Sequence, residues 1–320
     1  MGYKKIKLSH ASLKTLEPYH QYNYPIYYKR EPDNVFVKLL DSGDSFNTKI
    51  QNTIKEKNIK NIYVLYEDHE EYEHDIEEYL KKIKDDKNIP YIKKSEILHE
   101  LASDVMYDML DGELNPKKIM QANSVVNDKV DILLSDHNAV KAMLKVTSHD
   151  YYTYTHCVNV STYSLGFGAF LKLTDKQLRI IGMAGMMHDL GKKQIPLEII
   201  NKKGKLSDDE FKTMKNHPTF GVDLLKELGE TDKLLLDIVE QHHEKLNGTG
   251  YPHQLKAKEI HPYAKVMAIC DIFDALTTKR SYKPAMKSYD AFSLMRHKME
   301  HEIDQKLLEQ FIKFMSRGSL

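Results

Sequence analysis

The stretch LRIIGMAGMMHDLGK, residues 178–192, decides how the C-terminal part of this chain folds. Residues 178–187 are mostly apolar and typical of a buried helix, and the capping-box pattern TDKQ at residues 174–177 predicts where that helix begins. His188 and Asp189 follow the apolar run directly. A buried carboxylate is costly unless it is paired or bound to a metal, so the stretch predicts a cation beside Asp189.

The helical pattern extends over residues 147–320, without a strand pattern of comparable strength. A second capping box, SDDE at residues 207–210, begins the helix to which we assign His217. Residues 93–146 are also predicted to be helical, with a new start at the Asn-Pro pair 115–116, where Asn caps the helix and Pro opens its first turn. We therefore expect an all-α bundle over residues 147–320, joined to the rest by a helical linker over residues 93–146.

Residues 1–92 predict a small α/β domain instead. Three short runs rich in β-branched and aromatic residues predict strands, and two segments have helical spacing. The predicted strands cover residues 24–29, 35–40 and 61–66, and the helical segments cover residues 45–57 and 70–83. The region contains no glycine-rich phosphate loop and no phospho-acceptor pattern, so its sequence assigns it no function.

The composition indicates a globular protein, since 41% of its 320 residues are hydrophobic, enough for two packed domains. The formal net charge of zero argues against a protein that coats a nucleic acid polymer or an anionic membrane. The N-terminus carries no secretory signal, and the apolar stretches are shorter than the ~20 residues that span a bilayer. Cys157 and Cys270 lie in apolar helical patterns and are expected to be buried thiols rather than a disulfide framework. We therefore expect a soluble, cytoplasmic protein.

Histidines and aspartates recur along the predicted bundle at positions that suit metal binding. One histidine on a helix is usually a core or surface residue, but two carboxylates in apolar runs, Asp189 and Asp271, would be costly without a cation. Asp271 and Asp274 lie three residues apart and therefore share one face of their helix. Imidazoles and carboxylates without thiolates suit iron, manganese or zinc rather than calcium. The candidate ligands are His156, His188, Asp189, His217, His242, His243 and Asp271.

These candidate ligands divide into two sets around a shared carboxylate. Asp189 could bridge two ions, with one oxygen on each. His156, His188 and Asp271 would complete the first ion. His217, His242 and His243 would complete the second. Because two ions about 3.5–4 Å apart clamp a phosphodiester for in-line attack on phosphorus, the sequence predicts a two-metal hydrolase site.

In this order, the residues resemble the HD-GYP family of bacterial phosphodiesterases, named for an HD pair, here residues 188–189, and a GYP triplet, here residues 250–252. The surrounding strings match as well. They are HDLGK at residues 188–192, HHEKLNGTGYP at residues 242–252 and DIFDALTTKRSYK at residues 271–283. The resemblance covers about residues 150–287, and the N-terminal 90 residues lie outside it. It implies an all-α HD-GYP bundle that carries its metals on the seven candidate ligands.

The resemblance also implies roles around the metals. Lys192 would face the substrate phosphate, stabilising charge or protonating the leaving oxygen, and Asp150 would either orient water or cap a helix. Tyr251 and Gly250 would form the edge of the substrate pocket, with Gly248 and Gly250 at positive φ. The predicted substrate contacts are Arg280, Lys283, Tyr251, Gly250 and Asp274.

The number and kind of metals follow from the same comparison. Some family members have a glutamate that helps to hold a third metal, at the position occupied here by Tyr152. Tyrosine is a poor ligand at neutral pH because its pKa is about 10. We therefore expect two divalent ions, iron or manganese in preference to zinc.

The implied activity is hydrolysis of cyclic di-GMP to pGpG, and in a second turn to GMP, by a hydroxide that bridges the two metals. Cyclic GMP-AMP is an alternative substrate, and two further hypotheses are an HD-type hydrolase of another nucleotide and a non-catalytic cyclic-dinucleotide receptor. The intact HHE–GYP string argues against the first, and the complete ligand set with Lys192 argues against the second. A homodimer, or a signalling partner bound through the N-terminal domain, stays open.

Overall fold

The computed structural model describes residues 8–30, 32–59, 61–147, 153–279 and 284–318. The chain divides into two compact units, Met1–Asp104 and Val105–Leu320. The small α/β domain is predicted from the sequence to end at residue 92. The first unit extends further, to Asp104, which lies within a helix.

The first unit is built on a four-stranded antiparallel sheet with strand order β1-β4-β2-β3. Its elements are β1 (Leu8–Ser12), β2 (Ile26–Arg30), β3 (Val35–Leu40), α1 (Thr48–Glu56), β4 (Asn61–Leu65) and α2 (His69–Asp85). All three predicted strands and both predicted helical segments form. The buried side chains of Ile26, Ile62 and Val64 give the central strands their core face.

The second unit is helical, with an isolated β-bridge between Asn247 and Lys256. Its first helix, α3 (Tyr91–Asp111), begins in the first unit. The others are α4 (Pro116–Ser135), α5 (His137–Lys145), α6 (Thr153–Phe170), α7 (Asp175–Met187), α8 (Leu197–Ile200), α9 (Asp208–Met214), α10 (His217–Glu227), α11 (Lys233–Gln241), α12 (Pro262–Thr277), α13 (Ser288–Lys298) and α14 (Gln305–Gly318). A 3₁₀ helix, Leu190–Gln194, follows α7. The predicted all-α bundle with a small α/β domain is confirmed.

Local capping signals set most of these boundaries. Both predicted capping boxes form, at Thr174 before α7 and at Ser207 before α9. The Asn115 side chain accepts a hydrogen bond from the Lys118 backbone N–H at 3.2 Å, as the predicted cap of α4. The assignment of His217 to the helix that begins after Ser207 was wrong: α9 ends at Met214, and His217 is the first residue of α10. The proline after His217 opens that new helix, where its missing N–H costs nothing.

Helices α6 and α7 pack closely in the core of the second unit. Residues 155–168 of α6 are all buried, as expected of a helix that is apolar on all sides. A Cβ at Gly185 of α7 would lie 2.7 Å from the Ser161 Cα atom of α6, so a side chain there would separate the two helices. Cys157 and Cys270 are buried free thiols, as predicted. No helix in the described ranges has both the length and the apolar character needed to cross a membrane; the cytoplasmic location stays a prediction.

Candidate metal centre

The seven predicted ligands come from five places in the helical unit and meet in its interior. Most of them lie at helix ends, where the chain turns and a side chain can point into the bundle. His156 lies in the first turn of α6, His188 and Asp189 follow α7, His217 opens α10, His242 and His243 follow α11, and Asp271 lies within α12.

Their ligand atoms form two groups with the division that the sequence predicted. One ligand atom from each of His156, His188 and Asp271 lies within 4.8 Å of the others. The same holds for Asp189, His217, His242 and His243. The two groups together account for all seven predicted ligands, and six of them are buried.

Asp189 lies between the two groups. Its Oδ1 atom is 3.3 Å from Nε2 of His217, and its Oδ2 atom is 3.5 Å from Nε2 of His188 and 3.8 Å from Nε2 of His156. Burial raises the pKa of this carboxyl, but Lys192 and the imidazoles outweigh burial and hold the pKa well below its ordinary value. Oδ1 is buried and has no hydrogen-bond partner among the described residues. An ionised carboxylate with one oxygen toward each group suits a bridge between two cations.

Three of the rings are fixed in one tautomer by the backbone. The Nδ1 atoms of His188, His217 and His242 lie 2.8, 2.8 and 2.6 Å from the carbonyl oxygens of the residues three positions earlier. A carbonyl can only accept, so each Nδ1 carries the proton and donates it. Burial lowers the pKa of His188, that of His217 to about 3 and that of His242 to about 4, so the rings are neutral and each Nε2 has a free lone pair.

These lone pairs face one another. The Nε2 atoms of His156 and His188 are 3.3 Å apart, and so are those of His217 and His242. Two neutral acceptors at this distance repel each other unless a cation or a proton lies between them. Since burial disfavours protonation of His188, His217 and His242, a metal cation fits each pair best. The residues present therefore suit two divalent ions.

The His156 ring lies between two carboxylates of α12. Its Nε2 atom is 3.0 Å from Asp271 Oδ1, and its Nδ1 atom donates to Asp274 Oδ2 at 2.7 Å. Asp274 is 0% exposed and also accepts from Asn159 Nδ2 at 2.8 Å and from Thr278 Oγ1 at 3.1 Å. The prediction that Asp274 contacts substrate was therefore wrong, because a fully buried carboxylate behind His156 can only orient that ligand. The sequence feature that could have indicated this orienting role is the three-residue spacing between Asp271 and Asp274.

A cysteine also lies beside the ligands. The Cys157 sulfur belongs to a group with ligand atoms of His188 and Asp189. Burial, reinforced by the negative charge of Asp189, raises the pKa of this thiol well above its ordinary value. Without a cation this thiol is therefore protonated, and the two groups that contain the seven predicted ligands consist of imidazoles and carboxylates.

Two adjacent lysines follow the HD pair and point differently. Lys192 Nζ lies 2.6 Å from Asp189 Oδ2, at the partly exposed side of the centre. Lys193 Nζ donates instead to the backbone carbonyls of Leu110 and Gly112, at 2.9 and 2.6 Å. Only Lys192 therefore carries positive charge to the bridging carboxylate.

The loop that contains the GYP triplet is held by a buried acid that the sequence analysis did not single out. Glu244 Oε1 accepts from the His253 backbone N–H at 2.6 Å, and Oε2 accepts from that of Leu255 at 2.9 Å. Gly248 has the expected positive φ of 77°. Gly250 does not, and the prediction for it was wrong: a Cβ there would lie 2.5 Å from the Glu244 Cα atom, so Gly250 allows close backbone approach. The sequence feature that could have indicated the role of Glu244 is its position directly after the His242-His243 pair.

Tyr251 lies at the rim of the centre. Its ring centroid is 4.7 Å from that of His243 and 6.2 Å from that of His217. Burial raises the pKa of its phenol, which therefore stays protonated and can donate a hydrogen bond.

Gly191, in the turn after the HD pair, brings α10 against the centre. A Cβ at this position would lie 1.9 Å from the His217 carbonyl oxygen and 2.4 Å from the Gly221 nitrogen. The turn therefore packs backbone against backbone, which places His217 beside Asp189. Sequence reasoning missed this role, although a glycine three residues after a ligand histidine was visible.

Asp150, Tyr152, Arg280 and Lys283 lie outside the described residues. The roles assigned to them from the sequence stay predictions.

The fold and the site together define an HD domain protein. The family model described as HD domain matches residues 128–307, more than half of the chain. The chain belongs to this family and, by its HD pair, HHE–GYP string and similarity to proteins of that type, to the HD-GYP family.

Two curated relatives show how far the similarity extends. A cyclic di-GMP phosphodiesterase of Pseudomonas aeruginosa is 34% identical over 192 residues, which are 60% of this chain and 46% of that protein. A 3′3′-cGAMP-specific phosphodiesterase of Vibrio cholerae is 33% identical over 189 residues, which are 57% of this chain and 35% of that protein. The chain thus spans less than half the length of these relatives.

A solved structure supports the fold along nearly the whole chain. It is an HDG“Y”P protein from Bdellovibrio bacteriovorus, which matches with a TM-score of 0.74 and 19% identity over 97% of this chain and 100% of that chain. At this identity, the likeness concerns the fold alone.

Proposed function

We propose that this chain is a metal-dependent phosphodiesterase that hydrolyses cyclic di-GMP to linear pGpG. The observation that carries the proposal is the buried pair of ligand groups that share Asp189. The names of its relatives, which include cyclic di-GMP phosphodiesterases of several bacteria, support this substrate class. A two-metal site suits an in-line displacement at phosphorus.

Two divalent ions would be held by the two ligand groups and bridged by Asp189. When bound, they would activate a water molecule and offset charge on the phosphate oxygens. The resemblance favours iron or manganese over zinc, and a set of imidazoles and carboxylates suits all three metals.

The surrounding residues would bind and orient the substrate. The Lys192 ammonium, 2.6 Å from Asp189 Oδ2, would be close to the reacting phosphate and offset its developing charge. Tyr251, at the rim of the centre, would donate a hydrogen bond from its phenol to the substrate. Arg280 and Lys283 are proposed to bind the substrate phosphate, where a guanidinium can hold two oxygens together.

Cyclic GMP-AMP is a second candidate substrate, because a relative named for that substrate is 33% identical, nearly as similar as the 34% identical relative named for cyclic di-GMP. With Tyr152 at the position of a third-metal ligand, we propose that pGpG accumulates rather than GMP. A competition assay with both cyclic dinucleotides and a mononucleotide, with product identification, distinguishes these outcomes. Binding without turnover by metal-loaded protein would favour a receptor.

The first test is Asp189→Ala in protein purified without oxygen. We expect about two metals per chain in the wild type, and loss of both metal and cyclic di-GMP hydrolysis in the variant, because the bridging carboxylate is gone. Asp223→Ala removes an exposed carboxylate of α10 and should change neither quantity. Full activity of Asp189→Ala would refute the two-metal proposal.

The first unit, which includes the start of α3, is proposed to form a homodimer interface or to bind a signalling partner. Light scattering of the purified chain would test the first possibility directly. A mass of one chain at all concentrations would contradict it.

A further inference from the structure

We propose that the exposed ring of Phe211, which contacts Tyr251 edge-on, is an aromatic platform on which one guanine base of the cyclic dinucleotide stacks. This inference rests on the proposed function and adds to it a residue that determines substrate binding. Phe211 lies outside the predicted ligand set and outside every substrate contact predicted from the sequence.

Ring contacts lead from Phe211 to the metal centre. The Phe211 ring centroid is 6.3 Å from that of Tyr251, with the ring planes at 82°. Tyr251 in turn lies 4.7 Å from His243, a member of the second ligand group. Phe211 is therefore two ring contacts from a ligand. A nucleotide base is separated from its phosphate by a sugar, so a base platform belongs at this distance rather than among the ligands.

The Phe211 ring is open to a partner. It is 47% exposed, although a large aromatic side chain gains stability from burial. Lys215 Nζ lies over its face, 5.1 Å from the centroid. A side chain with a flexible stem, rather than the core, thus covers the ring.

A guanine base could displace this lysine. An exposed cation–π contact corresponds to roughly a two- to fivefold change in an equilibrium constant, whereas a stacked base corresponds to about five- to 150-fold. The exchange therefore favours the base. The displaced ammonium stays beside a substrate that is anionic and whose guanine carries the O6 and N7 acceptors that lysine binds.

Helix α9 holds Phe211 in a fixed place. The Ser207 side chain and Glu210 form the reciprocal capping box at its start. Glu210 also pairs with Lys202, at 2.5 Å between Nζ and Oε2. A platform fixed before binding loses little entropy when the base stacks on it.

Exposed phenylalanines are common on protein surfaces, and this chain supplies a matched control. Phe36 of β3 is 43% exposed and contacts Tyr63 edge-on, at 4.9 Å and 81°. Its tyrosine partner contacts no predicted metal ligand among the ring contacts of the described residues. Phe36→Ala therefore removes an equivalent ring without removing the proposed platform.

The experiment measures steady-state hydrolysis of cyclic di-GMP by the metal-loaded full chain, together with metal content and equilibrium binding of the same nucleotide. We expect Phe211→Ala and Phe211→Leu to raise KM and Kd by about tenfold, with kcat within about twofold, because stacking is present in both the ground state and the transition state. Phe211→Trp should restore wild-type KM, and Phe36→Ala should leave it unchanged. Metal content should stay at the wild-type value in all four variants.

The outcomes separate this inference from the proposed function. A wild-type chain that does not hydrolyse cyclic di-GMP refutes the proposed function, whereas the platform is then judged by Kd alone. If wild type is active and Phe211→Leu keeps the wild-type KM and Kd, the platform is refuted. A rise in KM that Phe211→Trp does not reverse, or one matched by Phe36→Ala, also refutes it, because stacking would not be the cause.

Discussion

At the residue scale, the chemistry of the centre depends on how the second nitrogen of each ring is engaged. For His156 that nitrogen faces Asp274, which Asn159 and Thr278 hold in place. A carboxylate that accepts the Nδ1–H hydrogen bond makes Nε2 a stronger electron-pair donor to a metal and fixes the orientation of the ring. Asp274 therefore acts on the metal through His156.

Asp274→Asn tests this role. The amide keeps an oxygen that can accept from the ring but has no charge, so we expect metal affinity of the first ligand group to fall by about 10- to 100-fold. Metal titration of the chelated protein measures it. Asp290→Asn, at an exposed position of α13, should leave affinity unchanged. If metal affinity is unchanged and KM for cyclic di-GMP rises, Asp274 contacts the substrate instead.

Much of the ligand set could be predicted from the sequence, because costly carboxylates in apolar runs and the adjacent histidines are visible without coordinates. The surrounding residues could not. Whether Asp274 points toward substrate or toward His156 depends on which neighbour its helix face meets, and one helix face contacts several elements. Glu244 was missed for a similar reason, since its partners are backbone groups 9 and 11 residues later.

At the element scale, the close approach of the turn after α7 to the start of α10 sets the geometry between the two ligand groups. Gly191 and Gly221 face each other there, with no side chain between the two backbones. The approach positions His217 relative to Asp189. It is a contact between elements rather than a property of either one.

Gly191→Ala should disrupt this contact. Its Cβ would lie 1.9 Å from the His217 carbonyl oxygen, and only a shift of backbone could relieve the clash. We expect loss of metal from the second group and a lower melting temperature. Gly221→Ala is the matched control, because its Cβ would come no closer than 3.3 Å to the Gly191 nitrogen, and its effect should be much smaller. Equal effects of the two substitutions would contradict the argument.

Element boundaries were predictable where a local signal sets them. Thr174, Ser207 and Asn115 cap their helices by hydrogen bonds within three residues, which a sequence pattern can specify. The strand β1 was not predicted, because LSHAS has weak strand propensity and forms by pairing with β4. The separate start of α10 was missed since the helical pattern continues through Asn216 in the same phase.

At the scale of the whole molecule, the helical unit buries one lysine in its core. Lys129 of α4 is 1% exposed, and its Nζ donates to Thr162 Oγ1 at 3.2 Å. No carboxylate among the described residues pairs with it. Burial lowers its pKa from 10.5 to about 7. The folded unit therefore bears a cost of holding this ammonium in an apolar core.

Lys129→Met should stabilise the protein. Between pH 7 and pH 10.5 the unfolded chain binds more protons at this residue than the folded chain, so the stability of the wild type should rise with pH across that window. The gain from the substitution should be largest below pH 7, roughly 3–5 kcal/mol, and should fade toward pH 10.5. Urea unfolding at several pH values measures it.

Lys176→Met, at an exposed position of α7, controls for the loss of one positive charge and should show no such pH dependence. The Thr162 hydroxyl keeps its bond to the Val158 carbonyl oxygen at 2.8 Å, so the substitution leaves no buried donor unpaired. Destabilisation by Lys129→Met at every pH would mean that the ammonium is satisfied in the core.

The glycine contact beside the HD pair has a consequence for how such proteins diverge. The separation of the two ligand groups is set there by main-chain atoms, so mutations of the neighbouring side chains leave it intact. Substitutions of the outer residues can then change substrate preference without changing the separation of the two ligand groups.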